Sequence, residues 1–464
     1  MLRYRVTPIL RDKNGIITLG FKISNLNQIT HANLGRLSEQ GSRPKVILGF
    51  DREAVVGIFG QRGSGKSYTL GTVIEALGNN DTEANIGLNV NDRAVLLFDT
   101  LNIYQYTSVP VSSIYDKSLR DKLSKKIKSF NLKETEINIR PFYPEGRRQN
   151  FYTSDYTSFS IDTSYIRPED YAHIFGIDLY KDPTGHLLLS AFDSIKYTGY
   201  NTDSGSRDGN ENAGIAHLIE YLSYDANTSN DFEHNTVRAL RSRLESLARD
   251  EMFSSEPTDL NTILRSGEVT VILLGHLSPP MRSLVAAILV RRLFNLRSIA
   301  AEAKKTLLLN STLSDKNRSE AQKTLEQAPP RTLLCIDEAH GYIPTSKSIP
   351  STSVLIQYVK EGRNHGLSLM ITSQQPSAIH KEVLSQMDCV IAHRLTVQSD
   401  IDAVLKNAKG RSPEKISSAK QDLSVHDLLR ELERGQAYIS HGDVRRSFIT
   451  EIRPRVTAHG GIEG

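Results

Sequence analysis

The chain is poor in cysteine: Cys335 and Cys389 are the only two in 464 residues. Two thiols cannot build a disulfide framework, so a small secreted scaffold is excluded and a cytoplasmic location is expected. The same count excludes a Cys-rich zinc site. Net charge is equally scarce. The balance of 57 Lys and Arg against 53 Asp and Glu leaves +4. That rules out a polycationic tail-type binder but leaves room for a local basic channel. No apolar run approaches the ~18–20 residues of a membrane span. The first residues, Met1-Leu2-Arg3-Tyr4-Arg5-Val6, lack a long apolar segment, so no signal peptide is expected. What is present is an ordinary globular composition, 38% hydrophobic and 24% charged. At ~100–200 residues per domain, the length suggests two to four structural units.

Short apolar runs over residues 6–10, 15–23 and 45–49 read as strands, so residues 1–50 form a short β-rich segment. From Ala54 the pattern becomes buried strand, Gly-rich turn and helix, with a second strand at Ala94–Phe98 ending on Asp99. Alternation of this kind predicts an α/β fold with a mainly parallel sheet. Residues 115–250 read as a mainly helical insertion, with helical spacing at Leu187–Tyr197, Ala213–Ser223 and Asn235–Arg249 and a Pro- and Arg-containing loop at 140–150. The α/β pattern returns over 251–452. There strands are predicted at Val269–Leu274, Leu333–Ile336 and Leu367–Thr372, and a closing hairpin at Gln436–Ser440 and Ser447–Ile452. The polar stretch up to Gln327 reads as an exposed helix extension or a loop.

Gly60-Gln61-Arg62-Gly63-Ser64-Gly65-Lys66-Ser67 fits the phosphate-binding pattern G-x-x-x-x-G-K-[ST] between a predicted strand and a predicted helix. Glycines let successive N–H groups face an anion, and the following helix adds its N-terminal partial positive charge. Lys66 is placed to reach the β- and γ-phosphates of ATP, and Ser67 to ligate Mg²⁺. Gly60, Arg62, Gly63, Ser64, Gly65 and Tyr68 complete the expected nucleotide-binding set.

Leu333–Ile336 runs into Asp337-Glu338. At the end of a strand in such a fold, the first acid holds the Mg²⁺ shell and the second orients or deprotonates the attacking water. The pair favours a RecA-like ATPase over a GTPase-like layout. Leu367–Thr372 runs into Ser373-Gln374-Gln375-Pro376. Gln374 is either a sensor of the γ-phosphate and its water or a turn residue before Pro376. Arg363, in Lys360-Glu361-Gly362-Arg363-Asn364-His365-Gly366, reads either as a surface cation near a helix end or as a group delivered to a neighbour's phosphates.

Taken in order, these stretches resemble the HerA family of hexameric DNA translocases, within the wider FtsK/HerA class. Leu384-Ser385-Gln386, His393-Arg394-Leu395-Thr396, Arg291-Arg292-Leu293-Phe294 and Gly435-Gln436-Ala437-Tyr438-Ile439-Ser440 extend the likeness. It implies a RecA-like core at 51–114 and 251–452 that hydrolyses ATP in a homo-hexameric ring. Double-stranded DNA would pass through the central pore. It also implies Glu338 as catalytic carboxylate, Gln374 as sensor, Asp337 assisting the metal, and Arg363 acting on the adjacent subunit's nucleotide. Arg394 is assigned to a subunit junction, and Asp99 either to a supporting role or to strand capping. Members usually begin with a larger β-barrel, so the barrel is expected to be reduced or absent in residues 1–50. Residues 453–464 resemble an arm laid over a neighbour, with Arg453 and Arg455 either reaching that neighbour's nucleotide or lying on the surface.

A ring repeats each pore cation, so a nearly neutral chain remains compatible with DNA contact. Lys125, Lys126, Arg140, Arg147, Arg148, Arg238, Arg241 and Arg243 are the candidates, each weighed against a solvated helix face. No base-reading motif and no nuclease constellation is evident. Any cutting activity would need a partner, and the resemblance implies a separately encoded nuclease or other effector, in end processing or antiviral defence. The competing readings are a nucleotide-gated scaffold for an effector and a secretion or conjugation motor.

Overall fold

The computed structural model describes all residues except 1–3, 8–14, 22–25, 40–42, 149–154, 226–230, 254–255, 412–414, 419–421, 445 and 462–464. Residues 8–10 and 22–23 of the expected N-terminal strands thus lie outside the described residues.

Among the described residues the main sheet has fourteen strands, beside separate sheets of three and two. In chain order these are β1 (Ile16–Leu19), β2 (His31–Leu37), β3 (Lys45–Gly49), β4 (Val55–Phe59), β5 (Gly87–Leu88), β6 (Ala94–Asp99), β7 (Ile139–Pro144), β8 (Thr157–Phe159), β9 (Val269–Leu273), β10 (Thr332–Ile336), β11 (Leu367–Ser373), β12 (Cys389–Ala392), β13 (Gln436–His441) and β14 (Phe448–Ile452). Across the sheet the order is β1-β3-β2-β14-β13-β12-β4-β11-β10-β6-β9-β7-β8, with β5 against β2. The run from β12 through β4, β11, β10, β6, β9 and β7 to β8 is parallel throughout. This is the RecA-like P-loop core. Its central strands are buried along their whole length, β4 as Val-Val-Gly-Ile-Phe and β10 as Thr-Leu-Leu-Cys-Ile. Parallel strands covered on both faces require such unbroken apolar runs.

Alternation divides the core into two layers. Leu96, Phe98, Leu334, Ile336, Leu369 and Ile371 face one cluster. Val95, Leu97, Leu333, Cys335 and Met370 face the other, against α1 (Lys66–Leu77). Leu187, Leu188, Leu218 and Leu244, from the helices Pro183–Asp193, Ile215–Tyr224 and His234–Ala248, join the first cluster. The helices over 183–248 are therefore packed on the sheet rather than hung from it, while Ile127 and Leu132 join a separate small cluster with Ile86 and Val456. α2 (Pro279–Leu309) starts with Pro at its first turn, a compatible position. The polar stretch after it is a second helix, Asp315–Gln327, with no buried residue. Among the described residues no helix is long and apolar enough to cross a membrane.

Three readings change. Residues 140–144, read as loop, belong to the strand β7, between β9 and β8. Their prolines argue against a strand in isolation, but pairing with β9, more than a hundred residues downstream, and with the nearby β8 overrides local propensity. The N-terminal strands do not stand apart as a small barrel. β2 pairs with β14, so β1–β3 extend the main sheet, whereas Tyr4–Thr7 pairs with Lys415–Ser418 in a separate small sheet. Residues 453–459 do not reach outward. Arg453 and Arg455 are 0% and 1% exposed and pair with Glu75 of their own chain's α1. Glu75 is wholly buried and needs cations nearby, a demand invisible until the chain folds.

Candidate functional site

The P-loop follows β4 at the carboxyl edge of the parallel strands. Gly65 precedes α1 with φ +115 and Gly60 has φ +155. Both are backbone conformations that side chains rarely adopt. A Cβ on Gly60 would also lie 2.5 Å from Ser64 Oγ and 2.7 Å from His393 Cβ. The loop is braced from beneath. Gln61 N donates to the Arg394 carbonyl at 2.9 Å, and His393 N to that of Phe59 at 2.8 Å. With its oxygen toward Arg394, the Gln61 carboxamide accepts from Arg394 Nε and Nη2, both at 2.9 Å. Lys66 is buried and donates to the Gln61 carbonyl at 3.3 Å. Burial lowers its pKa, while Glu338 and Asp337 work in the opposite direction.

β10 and β11, on one side of β4, deliver the carboxylates and the amide. Thr372 Oγ1 donates to Asp337 Oδ1 at 2.5 Å, and Gln374 Nε2 to Glu338 Oε1 at 2.5 Å. Glu338 sits in the left-handed region, φ 53 and ψ 51, an uncommon backbone for a residue with a side chain. Asp337 Oδ2 and Glu338 Oε2 are buried without a hydrogen-bond partner, although His340 Nδ1 is 3.4 Å from the latter. Burial raises the Asp337 pKa to about 6, with Thr372 and Lys66 opposing and Glu338 reinforcing. Two orphaned carboxylate oxygens beside a buried lysine and a glycine cradle suit a hydrated Mg²⁺ and a phosphoryl group. Among the described residues no cluster of His, Cys, Asp or Glu could hold a metal alone. Ser67 and Asp337 are the residues that would hold such a cation.

The structure thus brings together Lys66, Asp337, Glu338 and Gln374. Arg62 and Gly63 are exposed at the loop's tip, and Ser67 and Tyr68 are half-buried in the first turn of α1. Arg363 is elsewhere. It lies exposed in the turn Gly362–His365, before β11 begins, whereas the P-loop follows the far end of β4. The length of β11 separates the two edges, ~20 Å at ~3.3 Å per residue. Asp99 accepts from Leu101 N at 3.2 Å and Tyr104 N at 2.7 Å, so it caps the turn after β6. Burial raises its pKa to about 7. Several cations singled out for DNA contact have internal partners instead: Arg140 with Glu268, Arg147 with Asp250 and Arg241 with Glu245. Lys125 and Lys126 are exposed.

Thr372 and the support role of His393 escape sequence reasoning. Thr372 lies two residues before Gln374, and strand alternation was the available signal. His393 Nδ1 is 2.8 Å from the Gln436 carbonyl, which can only accept. The ring is therefore protonated there, and Nε2 accepts from Thr69 Oγ1 at 2.9 Å. Burial lowers its pKa to about 4. The unfolded chain binds the proton near the ordinary 6.5, so it holds more protons between pH 6.5 and 4. Stability is full above pH 6.5 and falls as the pH drops through that window. Urea unfolding at pH 7 and pH 5 should show a smaller acid loss in His393→Gln than in wild type, by ~1–2 kcal/mol. Equal losses would reject the assignment.

A family model described as the central domain of helicase HerA matches residues 32–293, more than half of the chain. A DNA double-strand break repair helicase HerA from Pyrococcus furiosus is 25% identical over 260 residues, 52% of this chain and 46% of that protein. A probable helicase of Methanocaldococcus jannaschii is 24% identical over 237 residues, 51% of this chain and 42% of that one. The chain spans less than half the length of these curated relatives. Among solved structures, VirB4 of Thermoanaerobacter pseudethanolicus aligns over 91% of this chain and 96% of its own, at 14% identity and TM-score 0.47.

Proposed function

Because the chain belongs to the HerA helicase family, we propose that it is an ATP-hydrolysing DNA motor working as a homo-hexameric ring around double-stranded DNA. The observation that carries the reading is the convergence of Lys66, Asp337, Glu338 and Gln374 at one strand edge, with two carboxylate oxygens left unpartnered. Lys66 and the loop amides hold the β- and γ-phosphates. Ser67 and Asp337 hold Mg²⁺, which when bound neutralises charge developing between those phosphates. Glu338 takes a proton from the attacking water, and burial beside Asp337 keeps it out of bulk solvent. Gln374 donates to Glu338 and links the carboxylate's position to β11. Arg363 lies at the strand edge opposite its own P-loop, so its target is the adjacent subunit's nucleotide.

The motor works in the cytoplasm beside a separately encoded nuclease or other effector, in DNA end processing or antiviral defence. ATPase activity, measured with and without double-stranded DNA on a sample whose mass is determined in the same buffer, tests the reading. DNA stimulation of a hexamer is expected. A DNA-indifferent ring that turns over only with a second protein would replace the motor by a scaffold.

A further inference from the structure

Beside the P-loop and its two carboxylates lies one buried polar group that the reading above leaves unused. Tyr104 is fully buried, and its hydroxyl is left without a close hydrogen-bond partner. Buried hydroxyls in native folds are nearly always paired, so an unpaired one asks for a reason.

The turn after β6 puts it there. β6 lies beside β10, with Phe98 opposite Ile336, so Asp99 and Asp337 leave the sheet side by side. Leu97 and Cys335 face the α1 layer, and strand alternation turns the two acids the same way. Asn102 takes the left-handed conformation, φ 55, which helps reverse the chain. Asp99 Oδ2 then accepts from Tyr104 N at 2.7 Å and fixes the turn. The Tyr104 ring packs into the same layer as Leu70 and Val73 of α1. Its hydroxyl faces Ser67, in the first turn of that helix, with Asp337 and Asp99 close enough to act on it through their charge. A phenylalanine would fill the apolar layer equally well. The extra oxygen is aimed instead at the two residues that would hold Mg²⁺, Ser67 and Asp337.

We propose that Tyr104 is a positioning residue for Ser67, whose hydroxyl proton it accepts so that the Ser67 oxygen is presented to the cation. The proposal rests on the nucleotide reading above. A serine hydroxyl carries one proton and two acceptor lone pairs. An oxygen that gives a lone pair to a cation must direct its proton elsewhere, and the Tyr104 oxygen is the acceptor on the α1 side. Groups that orient a metal ligand govern affinity for the metal without touching it.

Tyr104→Phe removes that oxygen and keeps the ring. The affinity of a fluorescent ADP analogue for the full chain is measured in EDTA and across a Mg²⁺ titration. The variant should stay within ~2-fold of wild type in EDTA, while the Mg²⁺ concentration that half-completes the tightening rises by ~3–10-fold. Ser67→Ala should raise that midpoint by itself. Adding Tyr104→Phe to it should move the midpoint by less than ~2-fold further, because both changes delete one shared hydrogen bond. A tyrosine that merely fills the core gives a different pattern. An unchanged Mg²⁺ midpoint, equal weakening with and without Mg²⁺, or full additivity with Ser67→Ala would each overturn the assignment. A wild-type chain that binds no ADP under either condition would remove the nucleotide reading itself, which is a separate result from all three.

Discussion

Mixing Lys66→Ala subunits with Arg363→Ala subunits is expected to restore ATP hydrolysis that neither possesses alone. Lys66 is a buried cation between the P-loop carbonyl of Gln61 and the Asp337–Glu338 pair. Its removal deletes the positive charge that faces the phosphates, and Lys66→Ala should lose at least ~10²-fold in turnover. Glu338→Gln should lose as much, because the amide cannot take the proton from water while the fold persists. Arg363 is exposed at the opposite edge of the sheet and cannot serve its own P-loop without a large rearrangement. Its loss should be equally severe in a homogeneous ring. In a mixed ring, an intact P-loop in an Arg363→Ala subunit can lie beside an intact Arg363 from a Lys66→Ala subunit. Steady-state ATPase across mixing ratios, after exchange of subunits is verified, reads this directly. No recovery at any ratio would count against action across a junction, and wild-type turnover in Lys66→Ala would sink the site.

Glu75→Ala is expected to destabilise the fold by ~3–5 kcal/mol, because it leaves two guanidiniums buried without a counter-charge. The carboxylate is saturated. Oε1 accepts from Val456 N and Thr457 N at 3.0 Å, from Thr457 Oγ1 at 2.6 Å and from Arg455 Nε at 3.2 Å. Oε2 accepts from Arg453 Nη1 at 2.8 Å. Burial pushes the Glu75 pKa up, but the two arginines and Thr457 more than offset it, and the net direction is down. Arg453 also donates to the carbonyls of Asn33 and Thr72 at 2.8 and 2.6 Å. The network therefore ties the tail to β2 and to α1, the helix that begins with Lys66. Urea midpoints measure the loss. The triple variant Glu75→Ala, Arg453→Met, Arg455→Met should recover much of it, since apolar groups replace a buried ion cluster at little cost. A Glu75→Ala chain within ~1 kcal/mol of wild type would show that these charges are not stabilising one another.

The P-loop, the Asp337–Glu338 pair and the Ser373–Pro376 turn were legible in the sequence because each is a contiguous run. Its chemistry depends on neighbours in the chain, and the apolar strand before each run announces a parallel core. Thr372 was hidden inside its own strand, where only the pairing of β10 with β11 turns it toward Asp337. The role of His393 was hidden because it depends on Thr69 and the Gln436 carbonyl, residues far apart in the chain.

The sequence alone determined the class of fold, the phosphate-binding loop and the order of the acidic and amide strands. Tertiary structure alone decided that residues 139–144 are a strand, that β1–β3 join the main sheet, and that the tail folds back on α1. It also decided which side of β4 faces the carboxylates. The reason is physical. Backbone conformation near a glycine or at a strand end is a local matter. Strand pairing and the burial of Glu75 with Arg453 and Arg455 depend on groups hundreds of residues apart, whose desolvation is compensated only once they meet.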